Sequence, residues 1–161
     1  MNKIVRKWEF MFRILELDMT EIEKIEYLMR NLCFLRGQKF DKDRFYKGIE
    51  RRVKDRYDKV FVCKQLEEDI IIGLIITDFN PETKDGYLKS IIVDEKYRGL
   101  YIGENLMQAA LEYLEDMKAE NIKINIDESE VKAYRLYSKL GFQPELREEE
   151  NKVKTMKIVL E

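Results

Sequence analysis

Between residues 87 and 127 the chain reads as strand, glycine-bearing loop, helix and strand, and that order leaves few folds open. A strand over about 87–93 leads into the connection Lys96-Tyr97-Arg98-Gly99-Leu100-Tyr101-Ile102-Gly103. A helix follows to about Glu120, with Leu106, Met107, Ala110, Leu114 and Met117 on one face. A second strand spans about 121–127. Two strands joined through a helix must lie parallel in one sheet, with a right-handed crossover.

The remaining segments fit around that unit. Trp8, Phe10, Phe12, Ile14 and Leu17 suggest a first strand over 8–17. Thr20-Glu21-Ile22-Glu23 reads as a capping box. Ile22, Ile25, Leu28, Met29 and Leu32 then recur at helical spacing, and the helix should stop near Gly37. A second helix starts at Asp41, with Phe45, Ile49 and Val53 on one face. Strands at 60–64 and 70–77, joined by Glu67-Glu68-Asp69, form a hairpin, and residues 80–86 are a turn by composition. After the crossover unit come a helix over 130–140, ended by Gly141, and an alternating strand over 153–160. The order β-α-α-β-β-β-α-β-α-β predicts a mixed α/β (α+β) fold: a single central mixed sheet flanked by helices. No linker or repeat divides residues 1–161, so one domain is expected.

Composition narrows the chemistry. Charged residues make up 39% of the chain, well above the usual quarter, yet the net charge is only −2. A general nucleic-acid binder would carry a basic surplus. The longest apolar run, residues 70–76, is too short to span a bilayer, and the basic start lacks the apolar core of a signal peptide. Cys33 and Cys63 have neither disulfide nor zinc spacing, and free thiols fit a reducing cytoplasm. The chain has no histidine. That removes Ser-His-Asp triads, Cys-His pairs and histidine metal sites, so no metal is expected. Acid–base work falls to carboxylates, Tyr, Lys, Cys, water or the substrate.

The loop at 98–103 is a candidate anion site. A helix N-terminus presents unpaired N–H groups and partial positive charge. Gly99 and Gly103 allow close approach, and Arg98 adds a cation, so a phosphate or pyrophosphate fits. On its own the pattern fits an ordinary strand-to-helix turn equally well. No Gly-Lys-Ser/Thr closes a Walker A loop. Asp127 lies at a distance that suits a dinucleotide fingerprint, but the two glycines do not make G-x-G-x-x-G.

The longer stretch Ile91-Ile92-Val93-Asp94-Glu95-Lys96-Tyr97-Arg98-Gly99-Leu100-Tyr101-Ile102-Gly103-Glu104-Asn105-Leu106-Met107 resembles the acetyl-CoA segment of the GNAT (GCN5-related N-acetyltransferase) family. That segment carries Gln/Arg-x-x-Gly-x-Gly/Ala after a strand ending in Val. Arg98 and Gly103 match its first and last positions, Gly99 matches the usual Arg-Gly pair, and Tyr101 replaces the middle glycine. Further on, Ala133-Tyr134-Arg135-Leu136-Tyr137-Ser138-Lys139-Leu140-Gly141-Phe142 is similar to the family's later helix, Ala-x-x-x-Tyr-x-x-x-Gly-Phe. Glu130 stands where the family often has Asn.

The resemblance implies acetyl-CoA as cosubstrate, an amine acceptor, and roles for named residues. Backbone N–H groups of Arg98, Gly99, Leu100, Tyr101, Ile102 and Gly103 would hold the pyrophosphate. Ile91, Ile92 and Val93 would pair with the pantetheine amides and polarise the thioester carbonyl. Glu130 and Ala133 would flank the pantetheine path. Tyr137 would be the general acid for the departing thiolate. No carboxylate lies in Tyr87-Leu88-Lys89-Ser90, so a water chain is the expected route for the acceptor's proton, with Glu130 and Asp127 as alternatives. A CoA-binding sensor without turnover, and a nucleotide-binding domain using the same anion site, are the competing readings. No nucleic-acid or membrane partner is expected, and the state is open between monomer and homodimer.

Overall fold

The computed structural model describes residues 8–127, 135, 137–144 and 153–159. Among the described residues, seven strands form one sheet in the order β1-β2-β3-β4-β5-β7-β6. β1 (Phe12–Glu16), β2 (Lys59–Gln65), β3 (Ile70–Asn80) and β4 (Asp85–Val93) make an antiparallel meander. β5 (Asn121–Asp127) pairs parallel with β4, as the crossover unit requires. β7 (Val153–Val159) runs antiparallel to β5, and the two-residue β6 (Gln143–Pro144) closes that edge. β6 was not expected from the sequence; its Pro144 is tolerated because an edge strand need not donate on its outer side.

Helices α1 (Glu26–Leu35) and α2 (Lys42–Lys54) cover one face, and α3 (Ile102–Asp116) covers the other. Two cores result. Ile25, Leu28, Leu32, Phe45 and Ile49 meet Val60, Val62, Leu74, Ile76 and Ile92 on the first face. On the second, Ile102, Leu106, Met107, Ala110 and Leu114 meet Ile72, Ile75, Leu88 and Ile122. Each fully buried Leu or Ile there contributes about 1.5–3 kcal/mol. α3 sits close over β3 because Gly73 lacks a Cβ, which would stand 3.1 Å from Leu106 and 3.2 Å from Ile102.

Several boundaries differ from expectation: β3 runs on to Asn80 and β4 starts at Asp85, so the turn expected over 80–86 shrinks to residues 81–84. The first strand is shorter, with residues 8–11 helical: its ladder with β2 ends at Phe12 and Gln65, beyond which the Leu66 N–H still donates to the Met11 carbonyl at 2.9 Å. The first helix begins as a 3-10 turn (Met19–Ile25) capped by Asp18, whose carboxylate accepts from the Thr20 N–H at 2.8 Å, so the cap precedes the Thr20 box. α3 stops at Asp116 rather than near Glu120, because Lys118 adopts φ +64° and ends the helix as a glycine usually does. α2, by contrast, starts at its expected cap: Asp41 accepts from the Arg44 N–H. Residues 135 and 137–139 are helical and Gly141 has φ +97°, consistent with the later helix; its first part lies outside the described residues. Among the described residues, no helix is long and apolar enough to cross a membrane.

Candidate active site

The site begins with an irregularity in β4. Ile76 pairs with Ser90 but Thr77 pairs with Leu88, so Lys89 is bulged out of the ladder. The bulge shifts the side-chain alternation by one residue. Leu88 and, after the bulge, Ile91 and Val93 belong to the α3 face, whereas Ile92 is buried with α1. The same place marks the end of the β4–β5 pairing. Its last pair is Leu88 with Ile124, although β5 continues to pair with β7 as far as Asp127. Beyond Leu88, therefore, β4 and β5 splay apart.

The backbone phase of β4 in that gap follows from one hydrogen bond. The Asp94 N–H donates to the Ile72 carbonyl at 2.7 Å, so residue 94 faces β3. Alternation then turns Ile92 and Ser90 toward β3 as well. Ile91 and Val93 turn their N–H and C=O groups the other way, into the splay. Of the three β4 residues expected at the cofactor, Ile91 and Val93 offer open backbone groups; those of Ile92 are committed to the sheet.

β4 runs into a 3-10 turn (Glu95–Tyr97), capped by Asp94 accepting from the Lys96 N–H at 3.0 Å. Two residues in left-handed conformations follow: Gly99 at φ +80° and Tyr101 at φ +62°. Tyr101 is the N-cap of α3 and has no side-chain capping bond of its own. The family's glycine at this position has a local reason: a non-glycine residue is disfavoured there by about 1–2 kcal/mol. The first bond of the α3 ladder runs from the Asn105 N–H to the Tyr101 carbonyl at 3.0 Å. The N–H groups of Ile102, Gly103 and Glu104 precede that ladder and are open to an acceptor.

A cavity of about 510 Å³ lies over them, lined by Val93, Tyr97, Arg98, Gly99, Tyr101, Ile102, Gly103 and Glu104. The structure thus brings together five of the six expected loop residues and the end of β4. Arg98 is exposed at its rim. Leu100 is the sixth and does not line the cavity; its carbonyl accepts from the Trp8 indole at 2.8 Å. Glu104 sets a carboxylate beside this positive helix end, a charge the sequence reading did not weigh.

At the other end of the splay, Tyr137 is buried at 4% exposure. Its ring packs 6.1 Å from Phe142, and its carbonyl accepts the Phe142 N–H at 3.0 Å. With Arg36, Ile75, Leu88, Lys89, Ser90 and Ile91 it lines a small cleft at the bulge. Arg36 follows α1 on one face, while Tyr137 belongs to the α3 face, so residues from both faces of the sheet line the cleft. No carboxylate among the described residues lines it. Glu130 and Ala133 lie outside the described residues. Asp85 is at the opposite end of β4, where Asn121 donates to it at 3.3 Å. Cys63 is no nucleophile, since burial pushes its thiol up to about 12. Trp8, Asn105, Arg36 and the Lys89 bulge were missed by sequence reading. Only the bulge left a trace: Lys89-Ser90 interrupts an otherwise apolar strand.

A family model described as "Acetyltransferase (GNAT) family" matches residues 9–142. The spermine/spermidine N(1)-acetyltransferase of Bacillus subtilis (strain 168) is 29% identical over 72 residues, 43% of this chain and 47% of that one. An N-alpha-acetyltransferase of Sulfurisphaera tokodaii is 39% identical over 61 residues, 37% of this chain and 36% of that one. The match thus spans half or less of these relatives' length. Among solved structures, a GNAT-family acetyltransferase of Staphylococcus aureus Mu50 superposes with TM-score 0.79 at 18% identity, covering 93% of this chain and 99% of that one. The PaiA N-acetyltransferase of Thermoplasma acidophilum, in complex with coenzyme A, gives 0.74 at 13% identity, covering 92% and 99%. With the family model spanning most of the chain, and the same fold in these structures, the chain belongs to the GNAT acetyltransferase family.

Proposed function

We propose that the protein is a single-domain N-acetyltransferase over residues 1–161 that transfers the acetyl group of acetyl-CoA to a primary amine by direct attack in a ternary complex. One observation carries the reading. The open N–H groups at the α3 start, the open β4 edge at Val93 and Ile91, and the Tyr137 cleft follow one another along a single splay. A cofactor with an anionic end, an amide-bearing arm and a reactive thioester needs those three surfaces in that order.

The chemistry follows from the groups at each point. The amine nitrogen attacks the thioester carbon, and the carbonyl oxygen takes the electron pair. An N–H donor from the open β4 edge stabilises that oxyanion. The oxyanion pair then re-forms the C=O bond as the C–S bond breaks, the sulfur leaves with the C–S pair and takes the Tyr137 hydroxyl proton, and water returns a proton to Tyr137. The nitrogen gives up its own proton through water, since no described carboxylate lines the cleft. Candidate acceptors are a polyamine, as named for the B. subtilis relative, an amino sugar, an amino acid or a protein amine. The proposed site of action is the cytoplasm, where thiols such as Cys33 and Cys63 stay reduced. The absence of a carboxylate at the described cleft also favours a second reading, a CoA-binding module without turnover.

Gly103→Val tests the cofactor site. A Cβ there would make only ordinary contacts, 3.8 Å from Val93 and 4.0 Å from Ile91, so the fold should persist while the added methyls crowd the phosphates. Calorimetry should show weaker CoA binding at unchanged melting temperature; equal affinity in a folded variant would reject the site. An acceptor panel with acetyl-CoA, following free thiol, separates enzyme from module. Displacement of acetyl-CoA by NAD or ATP would instead favour a nucleotide site.

A further inference from the structure

We infer that Trp8 is a positioning residue for the cofactor loop: its indole N–H holds the Leu100 carbonyl and thereby aims the Tyr101 N–H at the pyrophosphate. The inference rests on the proposed CoA reading of that loop. Its starting point is a bond that closes across 92 residues of sequence, Trp8 Nε1–H to the Leu100 oxygen at 2.8 Å.

The loop needs holding. Left-handed conformations at Gly99 and Tyr101 bracket Leu100; before it the nearest backbone bond, Arg98 N–H to the Glu95 carbonyl, is long at 3.4 Å, and after it the α3 ladder begins only at the Tyr101 carbonyl. Two side-chain donors reinforce the loop. Asn105 donates its amide to the Tyr101 carbonyl at 2.7 Å, and Trp8 donates to the carbonyl one residue earlier. In a trans peptide the C=O and the following N–H point in opposite directions. Drawing the Leu100 carbonyl toward Trp8 therefore turns the Tyr101 N–H away from Trp8. The cavity lining agrees: Gly99 and Tyr101 line it, and Leu100 between them does not.

Trp8 is itself anchored. Its ring lies 5.3 Å from that of Phe12, and Phe12 meets Tyr97 edge-on at 6.2 Å. Phe12 begins β1 and is buried, and Tyr97 ends the 3-10 turn that feeds the loop. The indole is thus fixed between the edge of the sheet and the loop it orients. A donor placed before ligand arrives removes part of the ordering cost of binding.

Trp8→Phe is the test, because it keeps an aromatic ring against Phe12 and removes only the N–H and the second ring. CoA affinity by calorimetry should fall about three- to tenfold, the loss of one neutral hydrogen bond. The apo melting temperature should stay within a degree or two, and turnover at saturating acetyl-CoA should change less than twofold while KM rises. Trp8 is the only tryptophan, so wild-type emission should also shift on CoA addition. Equal CoA affinity in wild type and Trp8→Phe would overturn the inference and leave the cofactor loop standing. A joint fall of affinity and melting temperature would overturn it too, by making Trp8 a packing residue. No CoA binding by the wild type would instead reject the reading of the loop on which the inference depends.

Discussion

Tyr137 is a buried phenol at the point where two strands part, and one substitution can separate its ring from its hydroxyl. The ring fills the α3-face core beside Phe142. The residue also lines the bulge cleft along with Leu88, Lys89, Ser90 and Ile91. Tyr137→Phe keeps the ring and removes the oxygen. If that oxygen delivers the proton to the departing sulfur, its help exists mainly in the transition state, so binding of acetyl-CoA should barely move. Thiolate is a good leaving group, so the single-turnover rate should fall at the lower end of general-acid effects, about 10–100-fold. Wild-type single-turnover rates in the variant would remove Tyr137 from the chemistry. Tyr101 differs in kind. The sequence marks it as a departure from the family pattern, and the structure shows a left-handed residue held by Asn105 from within the helix it caps.

At the scale of elements, what could be read in the sequence was what repeats locally. α2 is bounded by Asp41 and carries Phe45, Ile49 and Val53 at helical spacing, so its start and inner face were both legible. The strands β2 to β5 were legible because apolar runs are broken by recognisable turns. The glycine loop was legible through the longer family pattern around it, since two glycines and an arginine alone fit an ordinary turn equally well. Trp8 was not legible as a loop residue, since nothing near it in sequence names a partner 92 positions away. Residues 8–11 alternate like a strand but fold as a helical turn. The end of α3 was misplaced because a lysine, not a glycine, takes the left-handed turn. The fastening of α2 to β3 was equally silent in the sequence. Arg52 forks onto Asp78 at 2.9 and 3.0 Å, and Lys89 from the bulge adds a third contact at 3.2 Å. Burial pushes the Asp78 carboxyl up, yet Arg52 and then Lys89 outweigh it and hold the group below the usual carboxylate range. The sign of the linkage follows. A depressed folded pKa gives a contribution fully present above about pH 4, the unfolded value, and lost as pH falls through the folded one. Arg52→Met should cost about 3 kcal/mol at neutral pH in urea unfolding, since it strips the main partner from a buried carboxylate. That deficit should shrink in acid as Asp78 protonates. A deficit constant down to pH 2 would mean that Arg52 acts through packing alone.

Across the whole molecule, the sheet is continuous by strand order but joined at its middle by only a short parallel ladder. Four residue pairs, Asp85 with Asn121 through Leu88 with Ile124, connect the meander to the β5–β7–β6 side. α3 lies on the meander side of that seam, with Leu106 over Gly73 of β3 and Leu114 over Gly86 of β4, and Ile122 of β5 joins the same core. Beyond Leu88 the seam opens, and the bulge at Lys89 fixes which β4 groups face it. A ligand lying in the opening adds pairing that the protein alone does not make, so it should act as a missing strand. Hydrogen exchange can read this residue by residue. Amides of β4 that bond to β3, at Ser90, Ile92 and Asp94, are already inside the ladder and should exchange slowly with or without ligand. The Ile91 and Val93 amides face the splay and should exchange faster in the free protein. Addition of CoA should then protect Ile91 or Val93, together with the α3-start amides of Ile102 and Gly103, while the lower half of β4 stays unchanged. Because a ligand that binds only the folded state adds RT ln(1 + [L]/Kd) to stability, protection of the slowest core amides should rise with CoA concentration as well. Protection at Ile102 and Gly103 with none at Ile91 or Val93 would confine the ligand to the helix start. That pattern would fit a nucleotide or a phosphate and would remove the thioester from the reach of Tyr137.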